Sequence, residues 1–223
     1  MESRTGVIIV AGGSGTRMGA DVPKQFLKVC GKEILVHSVE KFREAVPDCD
    51  MVIVLPEGEM ARWQELAEQY GLQCCKVCAG GANRFMSVKR GLTCVDKSCD
   101  LIAVHDAVRP LLSQEMIENT VAVAREYGSA IPVVEVTDTI RMVTREGGAQ
   151  TVDRSLLRAV QTPQIFDAQT LREAYKTRYS KRFTDDASVY EKYGATLTFC
   201  EGERSNIKIT TPVDLKIAEA LMK

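Results

Sequence analysis

No charge of either sign dominates this sequence: 29 lysines and arginines stand against 30 aspartates and glutamates, leaving a net charge of −1 over 223 residues. A chain so balanced has no global basic field to draw it to nucleic acid or anionic lipid, so any anion site must be local. No apolar run approaches the roughly 20 residues of a membrane-spanning helix. The longest, GVIIVAGG (6–13) and MVIVLP (51–56), are far shorter. No signal-peptide h-region opens the chain, and a soluble cytoplasmic protein without nucleic-acid or membrane partners is expected. Internal repeats, low-complexity tracts and linkers are missing as well. With 45% hydrophobic residues the core is ample for one domain over residues 1–223. Histidine is scarce: His37 falls in a helical pattern and His105 at a strand end, where a neutral, hydrogen-bonded imidazole is commoner than a catalyst.

Eight cysteines are present, but a chain of this size with so rich a core does not depend on a disulfide framework. Cys75 and Cys78 form a CxxC without a second CxxC at zinc-ribbon spacing, so LQCCKVC (72–78) reads as a strand whose thiols pack as small apolar groups.

Periodicity places strands at GVIIVA (6–11), DMVIVLP (50–56), LQCCKVC, DLIAVHD (100–106) and SAIPVVEV (129–136). Between them lie helical patterns at 34–45, 59–71, 83–95 and 114–128. This βαβα order predicts an α/β fold, a mostly parallel sheet with helices on both faces and ligands beyond the carboxyl ends of the strands. Around Gly147-Gly148 the pattern becomes a polar hairpin, with TDTIRMV (137–143) facing QTVDRS (150–155). A two-stranded ribbon with so few large apolar residues is marginal alone, so an arm over about 137–158 that a partner covers is expected. Helices follow at 167–180 and 185–194, strands at TLTFCEG (196–202) and NIKIT (206–210). A last helix is opened by Thr211 as N-cap and Pro212 in the first turn.

The stretch IIVAGGSGTRMGADVPKQFL (8–27) carries the sharpest chemical signal. Small residues after a strand free backbone N–H groups to cradle an oxyanion, and Arg17 and Lys24 add cations. It is not a dinucleotide fingerprint, because Met18 holds the third glycine position, nor a P-loop, because Thr16-Arg17 replaces the required lysine. Pro23 disfavours a continuous helix through the segment and leaves Lys24 on a loop able to wrap a ligand.

G-x-G-x-R-M-G followed by P-K-Q resembles the signature of nucleotidyltransferases that join a nucleoside triphosphate to a sugar phosphate. With HDAVRP (105–110), TVDRSLLRAVQTPQIF (151–166), TDDASVYE (184–191) and NIKITTPVDL (206–215), the chain resembles over nearly its whole length the 2-C-methyl-D-erythritol 4-phosphate cytidylyltransferases of the non-mevalonate isoprenoid pathway. Ribitol-5-phosphate cytidylyltransferases share several of these motifs, and a non-catalytic CTP-binding protein is the rival from another class. Val10 stands where many members have proline, Gly12 where many have alanine, Ala82 where some have aspartate, and VEVTDTI replaces a more usual PVRDT.

The resemblance implies a Rossmann-like nucleotidyltransferase fold with a protruding β-arm, and transfer of a cytidylyl group from CTP to the acceptor phosphate. It assigns Arg17, Lys24 and Lys208 to the triphosphate and the developing charge. Ala11, Gly12, Gly13, Gly15, Gly81, Ser87 and Asp106 fall to the nucleotide; Asp106, Arg109, Thr139, Arg154 and Thr162 fall to the acceptor. Mg2+ would be bound mainly through CTP phosphates, with Asp106 beside it and no dedicated protein cage. A homodimer is implied, with Thr139 and Arg154 reaching the neighbouring site.

Overall fold

The computed structural model describes residues 4–13, 22–145 and 147–223. In chain order the elements are β1 (Thr5–Val10), β2 (Lys28–Val29), β3 (Lys32–Glu33), α1 (Ile34–Ala45), β4 (Asp50–Leu55), α2 (Met60–Tyr70), β5 (Lys76–Ala79), α3 (Arg84–Cys94) and β6 (Leu101–Asp106). There follow α4 (Gln114–Tyr127), β7 (Ser129–Glu135), β8 (Arg141–Val143), β9 (Ala149–Thr151), β10 (Arg158–Val160), β11 (Gln164–Asp167), α5 (Ala168–Ala174), α6 (Asp186–Tyr193), β12 (Phe199–Glu201) and α7 (Pro212–Leu221).

The central sheet runs β10-β7-β11-β6-β1-β4-β5, with β12 beside β7. Pairings of β1 with β4 and β6, of β4 with β5 and of β12 with β7 are parallel; β11 against β6 and β7, and β10 against β7, are antiparallel. Alternation within β1 sorts the layers. Val7 and Ile9 join Leu35, Trp63 and Ile117 from α1, α2 and α4 on one face. Ile8 joins Phe85, Leu171 and Val189 from α3, α5 and α6 on the other. Gly91 lets α3 sit close: a Cβ there would lie 2.8 Å from Ile8 Cγ2.

Three sequence-based expectations are corrected. The strand expected from Leu72 starts at Lys76, because Gly71, at φ 67°, caps α2 and the chain turns with Cys75 N–H donating to the Leu72 carbonyl. The helix expected over 167–180 ends at Ala174; Tyr175 is pulled inward, its hydroxyl 2.5 Å from Asp186 Oδ1 and its ring stacked on Phe85. NIKIT is not a strand. Buried Asn206 ties it to the Thr162 carbonyl at 3.0 Å, and Ile209 N–H reaches the Val108 carbonyl at 2.9 Å, so scattered anchors replace a ladder.

The hairpin appears as β8 paired with β9 in a separate two-stranded sheet, with Gly147 at φ 85° in its turn and every residue of both strands exposed. The expected α1 bounds, 34–45, match the observed helix, and α7 begins at Pro212 behind a Thr211–Asp214 capping box.

Candidate active site

Register assembles the site. β1 has β4 on one side and β6 on the other, so chain order reverses there, and ligand crevices in open α/β sheets form at such a point beyond the carboxyl ends. Val10 pairs with Asp106, which places the Ala11–Gly13 segment beside that carboxylate. Leu55 pairs with Ala79, which brings Gly80 and Gly81 to the same edge.

A cavity of about 370 Å³ occupies this edge, lined by Ala11, Gly12, Gly13, Lys24, Gly81, Ser87, Asp106 and Lys208, all expected at a nucleotide or catalytic site, together with Asn83 and Arg84. Gly81 must be glycine, since a Cβ would stand 2.3 Å from Met86 Cβ. Its N–H donates to Ser87 Oγ at 3.0 Å, and that hydroxyl donates to the Asn83 carbonyl at 3.0 Å. The Asn83 side chain in turn caps α3 by accepting from Met86 N–H. Ser87 thus fixes the backbone that faces the cavity. Buried Gln25 does the same for the backbone just after β1 by donating to the Ala11 carbonyl at 2.7 Å.

A second cavity, about 290 Å³, is lined by Arg109 and Thr162 from the expected acceptor set and by Gln161, Thr184 and Asp185. The two cavities share three residues: Arg84, Asp106 and Lys208. Lys208 Nζ lies 2.6 Å from Asp106 Oδ2, and Arg84 Nε 3.2 Å from Asp106 Oδ1. Burial alone would raise the Asp106 carboxyl, but the charges of Arg84, Lys208 and Arg109 outweigh it and hold it well below the usual carboxylate range. Lys24 Nζ donates to the carbonyl of Ile209, the neighbour of Lys208, at 3.3 Å, and both lysines line the first cavity.

His105, fully buried, lies under this wall. Its Nε2 faces the Arg109 carbonyl at 3.2 Å, a pure acceptor, so Nε2 carries the proton and Nδ1 accepts from the Thr162 hydroxyl at 3.0 Å. The same hydroxyl accepts from Asp106 N–H at 3.1 Å. Burial pushes the imidazole down to about 3, with Asp106 opposing that shift and Arg109 aiding it. It is neutral at physiological pH and serves as a brace. Arg109 is also lowered by burial, against the pull of Asp106, and donates to the Asn206 carbonyl at 2.8 Å.

Thr139 and Arg154 line neither cavity of their own chain; Arg154 borders a separate hollow beside Thr137 and Asp153 and donates to the Thr137 carbonyl. Arg17 and Gly15 lie outside the described residues.

Sequence reasoning missed Arg84, Asn83, Gln161 and Asn206. The signal for Asn83 was legible, an N-cap residue opening a helix that follows two glycines. Arg84 had none, because its partners Asp106 and Asp186 are 22 and 102 positions away.

The family model described as "IspD: 2-C-methyl-D-erythritol 4-phosphate cytidylyltransferase" matches residues 5–223. A protein of that name from Phocaeicola vulgatus is 46% identical over 217 residues, covering 97% of this chain and 98% of that one. Among solved structures, 2-C-methyl-D-erythritol 4-phosphate cytidylyltransferase from Thermus thermophilus is 32% identical with a TM-score of 0.78, covering 99% of this chain and 98% of that one. The 4-diphosphocytidyl-2C-methyl-D-erythritol synthase of Anaerococcus prevotii is 26% identical with a TM-score of 0.85, covering 99% and 96%.

Proposed function

The chain belongs to the 2-C-methyl-D-erythritol 4-phosphate cytidylyltransferase family, and from that premise we propose that it transfers the cytidylyl group of CTP to 2-C-methyl-D-erythritol 4-phosphate, giving the cytidine diphosphate conjugate and pyrophosphate for isoprenoid precursor synthesis. The observation that carries this reading is the pair of cavities meeting at one wall of Arg84, Asp106 and Lys208. A donor nucleotide in the larger and an acceptor phosphate in the smaller would meet there.

The acceptor phosphate oxygen attacks the α-phosphorus, a new P–O bond forms, and the bond to the β-phosphate oxygen breaks as pyrophosphate leaves. No strong base is required, because a phosphate monoester with a second pKa of about 6 is already mostly dianionic at neutral pH. What the chain supplies is alignment and charge. Lys24, which donates to the Ile209 carbonyl, and Lys208 are assigned to the phosphates with Arg17, while Arg109 and Thr162 receive the acceptor. Gly81, held by Ser87, presents backbone groups to the cytosine.

Among the described residues no group of three or more His, Cys, Asp or Glu is placed to hold a metal ion. A single carboxylate at the cavity wall, Asp106, suits an Mg2+ that arrives on the triphosphate and keeps part of its water. Held beside Asp106, Mg2+ would offset the charge of the phosphates.

A homodimer belongs to the same proposal. The exposed arm, with Met142, Val143 and Leu156 uncovered at 52%, 75% and 81%, would pack on a second copy and bring Thr139 and Arg154 to that copy's acceptor cavity. Among the described residues no helix is long and apolar enough to cross a membrane, and a cytoplasmic location is part of the proposal.

The test is pyrophosphate release from CTP and Mg2+ with methylerythritol phosphate, run in parallel with ribitol 5-phosphate and with UTP, ATP and GTP, and with the product weighed by mass spectrometry. CTP with methylerythritol phosphate should be strongly preferred. Faster turnover of ribitol 5-phosphate reassigns the acceptor, and nucleotide binding without turnover favours a CTP-binding protein.

A further inference from the structure

Arg84 stands where both cavities end. It is the first residue of α3, and its guanidinium bridges two carboxylates at once: Nε to Asp106 Oδ1 at 3.2 Å and a terminal nitrogen to Asp186 Oδ2 at 2.6 Å. Asp186, the first residue of α6, is fully buried, and its other oxygen accepts from the buried Tyr175 hydroxyl at 2.5 Å. The Tyr175 ring is locked by Phe85, with centroids 4.8 Å apart and planes 21° from parallel. Behind Asp186, Gln164 accepts from Ala187 N–H and donates to Asp185, so the start of α6 is itself pinned to β11.

The result is a row of alternating charge: Asp186, Arg84, Asp106, Lys208. The first two members are fixed in the protein and the last is part-exposed. If Lys208 turns to a phosphate, as the proposed reaction asks of it, Asp106 loses the cation on Oδ2 and keeps the one on Oδ1. An arginine suits this post because its planar fork can hold two carboxylates in fixed relation, which a lysine's single point charge cannot.

We propose that Arg84, anchored by Asp186 and Tyr175, is a positioning residue for the transfer: it keeps Asp106 in place in the wall between the cavities while Lys208 moves to the phosphates. This rests on the cytidylyl-transfer reading and adds to it a network of residues outside the phosphate cradle. The competing explanation is structural, namely that Arg84 is present to neutralise a buried Asp186.

The two separate in a set of variants assayed for turnover and thermal unfolding. Arg84→Met strands the Asp186 charge and frees Asp106, so both stability and kcat fall, kcat by about 30-fold or more for a misplaced group of this kind. In Arg84→Met/Asp186→Asn the stranded charge is gone, so the unfolding temperature returns toward wild type while kcat stays down. Arg84→Lys guards against misfolding of the others; it keeps the charge and loses the fork, and kcat should drop about tenfold with KM for CTP changed less than about threefold. Recovery of kcat together with stability in the double variant, or wild-type kcat in Arg84→Lys, overturns the positioning role and leaves the functional reading standing. Wild-type protein that releases no pyrophosphate overturns both.

Discussion

The carboxyl edge of the sheet and the hairpin arm are each assigned cations for one reaction, yet they hold them in opposite ways. At the edge, Lys208 and Arg84 rest on a buried Asp106, and that carboxylate is set by the register of β6 against β1. On the arm, Arg154 follows β9 and donates to the nearby Thr137 carbonyl of its own chain, beside β8 and β9 strands of three residues that are exposed throughout. Arg84 and Asp106 are oriented by the fold itself, and fixed charge of this kind is the arrangement that gives electrostatic stabilisation its strength. A solitary two-stranded ribbon is marginal in water, so the arm's geometry should depend on what covers it. The edge is a property of one chain; the arm is proposed to be a property of two.

The largest expected effect breaks the edge chemically and spares its fold. Lys24→Ala and Lys208→Ala should each lower kcat/KM on the order of 10²-fold or more, while unfolding shifts by only a few degrees, because part-exposed cations add little stability. Parallel turnover and melting curves check this, and near-native activity in Lys208→Ala would remove it from the catalytic set.

Mixing subunits tests the arm. Lys24→Ala and Arg154→Ala are each expected to be nearly inactive alone. In a mixed dimer with shared sites, one site would carry both lesions and the other neither, so random exchange should return about a quarter of wild-type activity. Confirmed exchange without recovered activity would place both residues in the same chain's site.

Titration between pH 5 and 8 should affect the edge and not the arm, whose Asp153 is lowered by hydrogen bonds from Ser155 and stays ionised there. His105 has its folded pKa depressed to about 3 by burial, so the unfolded state takes up its proton first. The stability it contributes is full above an unfolded pKa of about 6.5 and is lost as pH falls toward 3, at about 1.4 kcal/mol per pH unit in that window. Asp106, also depressed, adds its own loss only below about pH 4, the unfolded carboxylate range. Urea unfolding between pH 5 and 8 should therefore slope for wild type and flatten for His105→Asn, with Arg154→Ala retaining the wild-type slope.

The smallest effect on the isolated chain belongs to Val143→Lys on the exposed β8 strand. Surface changes of this kind shift stability by about 0.5 kcal/mol or less. Sedimentation should nevertheless show a weaker dimer, and an unchanged mass would exclude β8 from the interface.

Legibility in the sequence followed the range of the forces involved. Helices α1 and α4 and strands β1, β4 and β6 were readable because apolar periodicity, caps and glycine stops are local signals. Lys24, Asp106 and Lys208 were found by motif and resemblance, and the structure brings them to one cavity. The strand expected at NIKIT and the long helix expected after Asp167 failed for a shared reason. Asn206 and Tyr175 make their decisive contacts with Thr162 and Asp186, neither of which a local pattern contains.

What the sequence alone determined is the alternation of strands and helices, the glycine-rich stretch after β1, and a polar hairpin unable to bury itself, since each follows from side-chain spacing and backbone freedom within a few residues. What only the tertiary structure decided is the wall between the two cavities. Register of β1 against β6 puts Asp106 beside the Ala11–Gly13 segment, the approach of α3 supplies Arg84, and α6 places Asp186 behind it. Such a row of charges is specified by distances across the folded sheet, and linear spacing carries no record of them.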